Sequence, residues 1–288
     1  MSSKKSDIII ISLLIVFFLA FVYAAHVITP TSQNVVEDVS TLYNITVNNS
    51  DAGQNANITQ VNITLPSSFT FVANSNGTDT GQHSFTNTST VLSWTNLTYF
   101  VVNGSALNRF WFNATAATPG NYNITVTTLN ATGAFNSNVS VSVNDTTAPD
   151  SMTFGTGAES DGANLSRNNI VVNVSATDNA GVNTIRFYLY NSTSLYNNTN
   201  ISVSGASASY LINFTGLADG LYTFNATAND TSGNQNLTGT GSRTVRVDTT
   251  FPQISYGTGA ENDAANLSRN NIYVNVSVTE TNEVNITF

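Results

Sequence analysis

The residue pattern with the most direct chemical meaning in this chain is Asn-x-Ser/Thr, the acceptor triplet for N-linked glycan. It occurs 25 times, never with proline at x, and so involves 25 of the 42 Asn in the 288 residues. At the chain's own Ser and Thr frequency, about 10 or 11 would arise by chance. The candidate acceptors are Asn44, Asn57, Asn62, Asn96, Asn113, Asn123, Asn144, Asn164, Asn173, Asn191, Asn197, Asn213, Asn225, Asn229, Asn236, Asn266 and Asn275. In 17 of the 25 triplets x is apolar or Ala, as in Asn44-Ile45-Thr46, Asn62-Ile63-Thr64, Asn173-Val174-Ser175 and Asn213-Phe214-Thr215. Because a strand places i and i+2 on one side and i+1 on the other, these triplets also read as half-buried strands with x inward. That accounts for the alternation and for Thr. It does not account for Asn, which strands disfavour because its amide competes for its own backbone. Asn144, Asn191, Asn197 and Asn229 fall in expected loops, where an acceptor is easily reached.

A second chemistry is offered by Asp145, Asp178, Asp230 and Asp248, which lie in linkers or near strand ends. Hard cations take carboxylate and carbonyl oxygens in such places, so these four are the candidate ligands of a structural Ca²⁺; no other cofactor is expected. No EF-hand loop is present, and Asp is also simply a good turn residue. The two histidines, His26 and His83, supply neither a zinc cluster nor a partnered base for a serine nucleophile. Gly155-Thr156-Gly157 lacks the third glycine and the helix of a dinucleotide fingerprint and reads as a turn. A carboxylate pair of glycosidase type has no fixed sequence spacing. The acids here nevertheless fall in linkers and turns, so no catalytic residues and no enzymatic activity are expected over residues 31–288.

The elements that must position these groups are set by composition. Hydrophobic residues make up 41% and aromatics 10%, enough to fill cores, while charged residues are only 9%. Both lysines, Lys4 and Lys5, sit at the N-terminus, and the formal net charge is −9. Such an exterior argues against nucleic acid or an anionic membrane surface as a partner. Cysteine is absent. Behind Lys4-Lys5 an apolar run from Ile8 to Ala25 is broken only by Ser12. A helix of that length reaches about 27 Å, enough to span a membrane. Residues 1–30 are therefore expected to be a transmembrane anchor, contacting the membrane through residues 8–28, or a signal peptide cleaved after Val22-Tyr23-Ala24. Either way the positive residues stay inside and the chain beyond Ala25 lies outside.

Beyond that point the chain repeats itself. Phe154–Asp178 reads FGTGAESDGANLSRNNIVVNVSATD and Tyr256–Glu280 reads YGTGAENDAANLSRNNIYVNVSVTE, 19 of 25 positions being identical at a spacing of 102 residues. Each copy comes after a Pro-containing linker, Asp145-Thr146-Thr147-Ala148-Pro149 or Asp248-Thr249-Thr250-Phe251-Pro252, suited to a stiff joint. Period-2 alternation at Tyr43/Ile45/Val47, Val61/Ile63/Leu65, Phe110/Phe112, Tyr122/Ile124/Val126 and Val139/Val141/Val143 predicts strands of a first domain. Ile170/Val172/Val174, Ile185/Phe187/Leu189, Phe224/Ala226 and Val245/Val247 predict those of a second. No helical period appears after residue 30. The fold class is all-β: tandem immunoglobulin-like β-sandwich domains after one N-terminal hydrophobic helix. The expected division is 31–144 for the first sandwich, 145–247 for an Ig-like repeat, and 248–288 for the truncated start of a second copy. The polypeptide is expected to continue past Phe288, since so few strands bury no inner face. Pro119-Gly120-Asn121-Tyr122 and Asp219-Gly220-Leu221-Tyr222 each place a Tyr where such sandwiches carry a tyrosine corner. The antibody pattern of cysteine, tryptophan and cysteine is missing, and neither Trp94 nor Trp111 substitutes for it.

Ala228-Asn229-Asp230-Thr231-Ser232-Gly233-Asn234, then Arg243–Val247 and the Asp-Thr-Thr-x-Pro linker, resembles the end of a bacterial Ig-like repeat. Together with the sequon density, the chain resembles archaeal cell-surface glycoproteins that string such domains together, well over 145–288 and loosely before it. The resemblance implies a non-enzymatic, exported, glycosylated stalk at the cell surface, or secreted, serving spacing or adhesion. Its ligand would be an unidentified surface protein or carbohydrate. The alternative is an accessory stalk or carbohydrate-binding region of a larger extracellular enzyme. There Tyr188 and Tyr190, alternating outward from Phe187 and Leu189, would stack on sugar.

Overall fold

The computed structural model describes residues 26–280, apart from 50–55, 81–82, 97–99 and 132, together with residue 287. The apolar run from Ile8 to Ala25 lies outside the described residues. Among the described residues no helix is long and apolar enough to cross a membrane. The chain divides into two compact units, Met1–Thr146 and Thr147–Phe288.

The first unit carries β1 (Val27–Thr29), β2 (Ser32–Val36), β3 (Ser40–Asn48), β4 (Gln60–Thr64), β5 (Phe69–Phe71), β6 (Gly77–Thr78), β7 (Ser84–Asn87), β8 (Val91–Thr95), β9 (Leu107–Ala116), β10 (Gly120–Asn130) and β11 (Gly133–Asn144). One sheet runs β1-β3-β9-β5, with β6 also on β9, and the other β2-β11-β10-β4-β8-β7. Inward residues alternate as the sequence predicts: Tyr43, Ile45 and Val47 from β3 and Phe110, Phe112 and Ala114 from β9 meet Val61, Ile63, Ile124, Val126, Val139 and Val141 of the facing sheet. Trp94, wholly buried on β8, sits edge-on to Phe110 at 5.3 Å and against Phe85 at 5.0 Å. It packs one strand out from β4. Burying each of these large side chains contributes about 1.5–3 kcal/mol.

His26 and Val27–Thr29 already belong to this sandwich. β1 pairs with β3, and buried His26 bonds the Thr128 hydroxyl at 2.5 Å and lies 5.0 Å from the Phe135 ring. The sandwich thus begins ahead of residue 31, and a membrane contact drawn over 8–28 has its last three residues inside the fold.

The second unit carries β12 (Asp150–Phe154), β13 (Asn164–Leu165), β14 (Asn169–Thr177), β15 (Val182–Asn191), β16 (Leu195–Ser202), β17 (Ser207–Thr215), β18 (Gly220–Asp230), β19 (Gln235–Asn236), β20 (Arg243–Val247), β21 (Gln253–Tyr256) and β22 (Val276–Thr279). Its sheets run β12-β14-β17 and β13-β20-β18-β15-β16, with β19 on β18. The plan repeats that of the first unit. In both, the first two short strands go to different sheets, and the second of them pairs in parallel with the last long strand, β2 with β11 and β13 with β20. This is an immunoglobulin-like arrangement, and the chain is all-β in tandem.

Both tyrosine corners form. The Tyr122 hydroxyl donates to the Thr118 carbonyl at 3.1 Å and the Tyr222 hydroxyl to that of Ala218 at 3.0 Å, each four residues back across a glycine of positive φ. Among the described residues after 247 the strands are those of the β21–β22 ribbon, counterparts of β12 and β14, and Ile254, Tyr256, Ile272 and Val274 are exposed. A two-stranded ribbon has no second sheet against which to bury its apolar face.

Both tryptophans lie in the first unit, so their fluorescence reports its unfolding. Tyr122→Phe, which removes only the corner hydrogen bond, is expected to lower that unit's stability by about 1 kcal/mol. Urea denaturation monitored by tryptophan emission checks this; an unchanged midpoint would show the corner to be ornamental.

Candidate functional site

The segment that the sequence repeats almost verbatim is a clip held mainly by its own side chains. Glu159, nearly buried, accepts from the Val171 amide at 2.9 Å and pairs with Arg167 at 2.7 Å through the same oxygen. Arg243 closes it from β20, donating to the Glu159 carbonyl at 2.7 Å and lying 4.2 Å above the Phe154 ring. In the second copy Glu261 pairs with Arg269 and accepts from the Tyr273 amide. A second element of the clip is Asn173, whose Nδ2 donates to the Thr156 carbonyl at 2.8 Å. Asn275 does the same to Thr258, also at 2.8 Å. Gly155 is glycine because a Cβ there would stand 2.8 Å from that Asn173 nitrogen. Motif reading of Gly155-Thr156-Gly157 found the turn but not its partner across 17 residues.

The candidate glycan acceptors divide by what their amide nitrogen is doing, since that is the atom sugar must replace a hydrogen on. Nδ2 is committed at Asn173 and Asn275, at Asn236 (to the Pro149 carbonyl, 2.7 Å), at Asn225 (to the Ser242 hydroxyl, 3.4 Å) and at Asn229 (to the Asp230 carbonyl, 3.4 Å). Asn57, Asn62, Asn123, Asn191 and Asn213 instead accept through Oδ1, from Gly104 N, Gln60 Nε2, Ser140 Oγ, the Thr193 and Ser194 amides, and Asn169 Nδ2 respectively. Asn44, Asn123, Asn144, Asn164, Asn197, Asn213 and Asn266 are exposed; Asn96 and Asn113 are half-buried.

On β10 and β11 two sequons face each other in antiparallel register. Ser140 donates to Asn123 at 3.2 Å and Thr125 to Asn138 at 3.0 Å; Thr127 donates to Asn136 at 2.7 Å beside them. These amide–hydroxyl pairs across strands supply a structural reason for Asn that alternation alone does not.

Of the four candidate cation ligands, Asp178 and Asp230 are both deeply buried at strand ends of the second unit, 6% and 2% exposed. Their carboxylate oxygens come within 4.8 Å of one another. Asp178 Oδ1 accepts from the Ala180 and Gly181 amides at 2.9 and 2.6 Å. Asp230 Oδ1 accepts from the Ser232 and Asn234 amides, both at 2.8 Å, and its Oδ2 from Asn234 Nδ2 at 2.8 Å. Burial pushes the Asp178 carboxyl above the usual carboxylate range; the Gly181 and Ala180 amides oppose this, and the charges of Asp230 and Asp150 add to it. Asp145, half-buried, is the last residue but one of the first unit, and half-buried Asp248 comes directly after β20.

The linkers are gripped by acids that the sequence did not single out. Glu37, buried, accepts from the Thr146 amide at 2.9 Å. Asp219 accepts from the Thr250 hydroxyl at 2.6 Å and from the amide and hydroxyl of Thr249 at 2.9 and 2.8 Å. Within the second unit, Asn234 and Asn236 hold the carbonyls of Thr147 and Pro149. Only the pairing of Asp-Thr-Thr with an acid just ahead of the tyrosine corner would have signalled this.

Tyr188 and Tyr190 are half-buried on β15 and stack on each other, ring centres 6.3 Å apart at 21°. Arg186 beside them binds Asn200 Oδ1 at 2.6 Å, and with Thr227 and Gln235 lines a shallow polar groove.

No protein-family model and no curated protein matches this chain. Among solved structures, it is similar to the ICAM-5 D1–D4 ectodomain fragment at 9% identity and a TM-score of 0.42, over 80% of this chain and 54% of that one. It is similar to the titin I-band fragment I67–I69 at 11% and 0.34, over 88% and 87%. The likeness to BcpA, the major pilin subunit of Bacillus cereus, is 8% and 0.32, over 74% and 61%. The chain thus spans about half the ICAM-5 fragment. The neighbours are immunoglobulin-like or fibronectin-III-like sandwich proteins, and at these values the likeness carries no function.

The hydroxyl of Thr250, then the amide and hydroxyl of Thr249, hold the Asp219 carboxyl below its ordinary range. Its contribution is therefore present above the unfolded-state value of about 4 and is lost as pH falls through the lower folded one. The melting difference between wild type and Asp219→Asn should be constant at neutral pH and close on acidification below about pH 4. A difference that widens there would reverse the sign. Gly155→Ala is expected to push Asn173 off the Thr156 carbonyl and to cost about 1 kcal/mol, read by urea denaturation in circular dichroism.

Proposed function

We propose that this chain is a non-enzymatic, exported stalk: immunoglobulin-like sandwiches in tandem, coated with N-linked glycan and tethered at or secreted from the cell surface. The observation that carries this reading is one sheet plan used twice in succession, with the next copy of its clip directly after the second linker. A repeated module is suited to setting distance, and each added copy lengthens the chain by the same step.

Two features support it. Linker residues are hydrogen-bonded to the sandwich they leave or enter, so little chain is left slack at a joint: Thr146 to Glu37, Pro149 to Asn236, and Thr249 and Thr250 to Asp219. The outward faces are rich in Asn, Ser and Thr and carry no lysine. Glycan there would shield the edge and face of each sheet from pairing with other chains.

Glycopeptide mass spectrometry on protein from its native host tests the reading. Sugar is expected on exposed acceptors whose Nδ2 is uncommitted among the described residues, Asn123 and Asn213 first. Asn173 and Asn236 are expected bare, because sugar on those nitrogens displaces a bond that holds the clip or the linker. Unmodified peptides throughout would defeat the glycan coat; sugar on Asn173 but not on Asn123 would defeat the sorting by amide use.

A further inference from the structure

We propose that Asp178 and Asp230 form a divalent-cation site, selective for Ca²⁺ over Mg²⁺, at one end of the second sandwich. The site stands on its own geometry and does not depend on the glycan reading.

Asp178 comes directly after β14 and Asp230 is the last residue of β18, so strands of the two facing sheets deliver one carboxylate each. Both side chains are more than nine-tenths buried. Backbone amides from the tight turns just beyond hold one oxygen of each, which fixes their orientation. The other Asp178 oxygen, Oδ2, is buried with no hydrogen-bond partner. The ion pairs formed among the described residues, Arg109–Asp79, Arg167–Glu159 and Arg269–Glu261, do not involve either acid. Asp150 adds a third negative charge nearby, its carboxylate receiving the hydroxyl of Thr177, the residue before Asp178.

An orphaned buried carboxylate oxygen is costly, and a second buried carboxylate beside it adds repulsion. A hard cation removes both penalties at once. Ca²⁺ takes oxygen ligands at about 2.3–2.6 Å, so two oxygens on one ion stand at most about 5 Å apart; here the separation is within 4.8 Å. Mg²⁺ needs ligands near 2.1 Å in strict octahedral order and gives up its water reluctantly, so carboxylates already fixed in place by turn amides suit it less well than the more tolerant Ca²⁺. The Thr147 carbonyl, next to Asn234, is the kind of neutral oxygen that completes such a shell with water. The repeat keeps the feature: Thr177-Asp178 becomes Thr279-Glu280, again a carboxylate.

The test is calcium titration of the chelator-stripped full chain, by calorimetry for stoichiometry and by circular dichroism for melting. Wild type is expected to bind Ca²⁺ with a dissociation constant of about 10⁻⁴ M or tighter, to melt higher with it, and to revert on chelation. Mg²⁺ at the same concentration should give a smaller shift. Asp178→Asn and Asp230→Asn should each weaken binding at least about tenfold. Because Asp178→Asn removes a buried charge, its calcium-free form should melt no lower than calcium-free wild type, which separates loss of the ligand from loss of the fold. No calcium response up to millimolar concentration would overturn the site. So would a response retained in both variants, or a wild type whose melting tracks pH and ignores calcium, the mark of a shared proton.

Discussion

Burial of every second strand residue between two sheets is the constraint on which the other features of this chain depend. Tyr43, Phe110, Phe112 and Trp94 in the first unit, and Phe187, Phe224 and Ile170 in the second, fix which residues of each strand can meet water. Because the period is two, the inward Ile of Asn62-Ile63-Thr64 commits both its neighbours to the outer face. Alternation thus explains why x is apolar and its neighbours polar in such triplets; it does not explain why the first neighbour is Asn.

That outer face has few ions, and neutral pairs take their place. Serine and threonine hydroxyls donate across strands to Asn123, Asn138 and Asn136, and Asn169 donates to Asn213. Acids serve elsewhere as acceptors for backbone amides, where the chain enters or leaves a strand. Glu37 holds Thr146, Glu159 holds Val171, Asp161 holds Thr244, Asp219 holds Thr249, and Asp178 and Asp230 hold the turns just beyond them. A negative net charge here reflects how turns and joints are fastened. Hydrogen bonds to the ionised form favour it, as at Asp219, whose carboxyl the Thr250 and Thr249 donors hold below its ordinary range. Asp178 departs from that scheme because one of its oxygens has nothing to accept from.

The alternating strands, the sandwich class, the repeat and the tyrosine corners were legible in the sequence, because alternation and Gly-turn spacing are local signals; Asn144, Asn191, Asn197 and Asn229, expected in loops, lie instead in β11, β15, β16 and β18. Exposed apolar residues such as Leu42, Leu107 and Leu211 carry no such signal, since only the partner sheet decides which side is inside. Also illegible were the tie between Asn173 and Thr156, the grip of Asp219 on the linker, and the meeting of Asp178 with Asp230. Each joins residues brought together by the turn or the sheet, not by spacing. Strand Val27–Thr29 was hidden for another reason: its residues continue an apolar run whose hydropathy reads as membrane. For Asn the sequence posed the right question, sugar or strand, and the use of each amide nitrogen, which only the fold reveals, is what the proposed sorting of acceptors rests on.

Stretching single molecules of the full chain in an atomic force microscope tests the stalk most directly. Two sandwiches with separate cores should give two discrete unfolding events, each releasing on the order of 300 Å of chain. A single event spanning both, or extension without a resisting step, would contradict an array of individually stable modules.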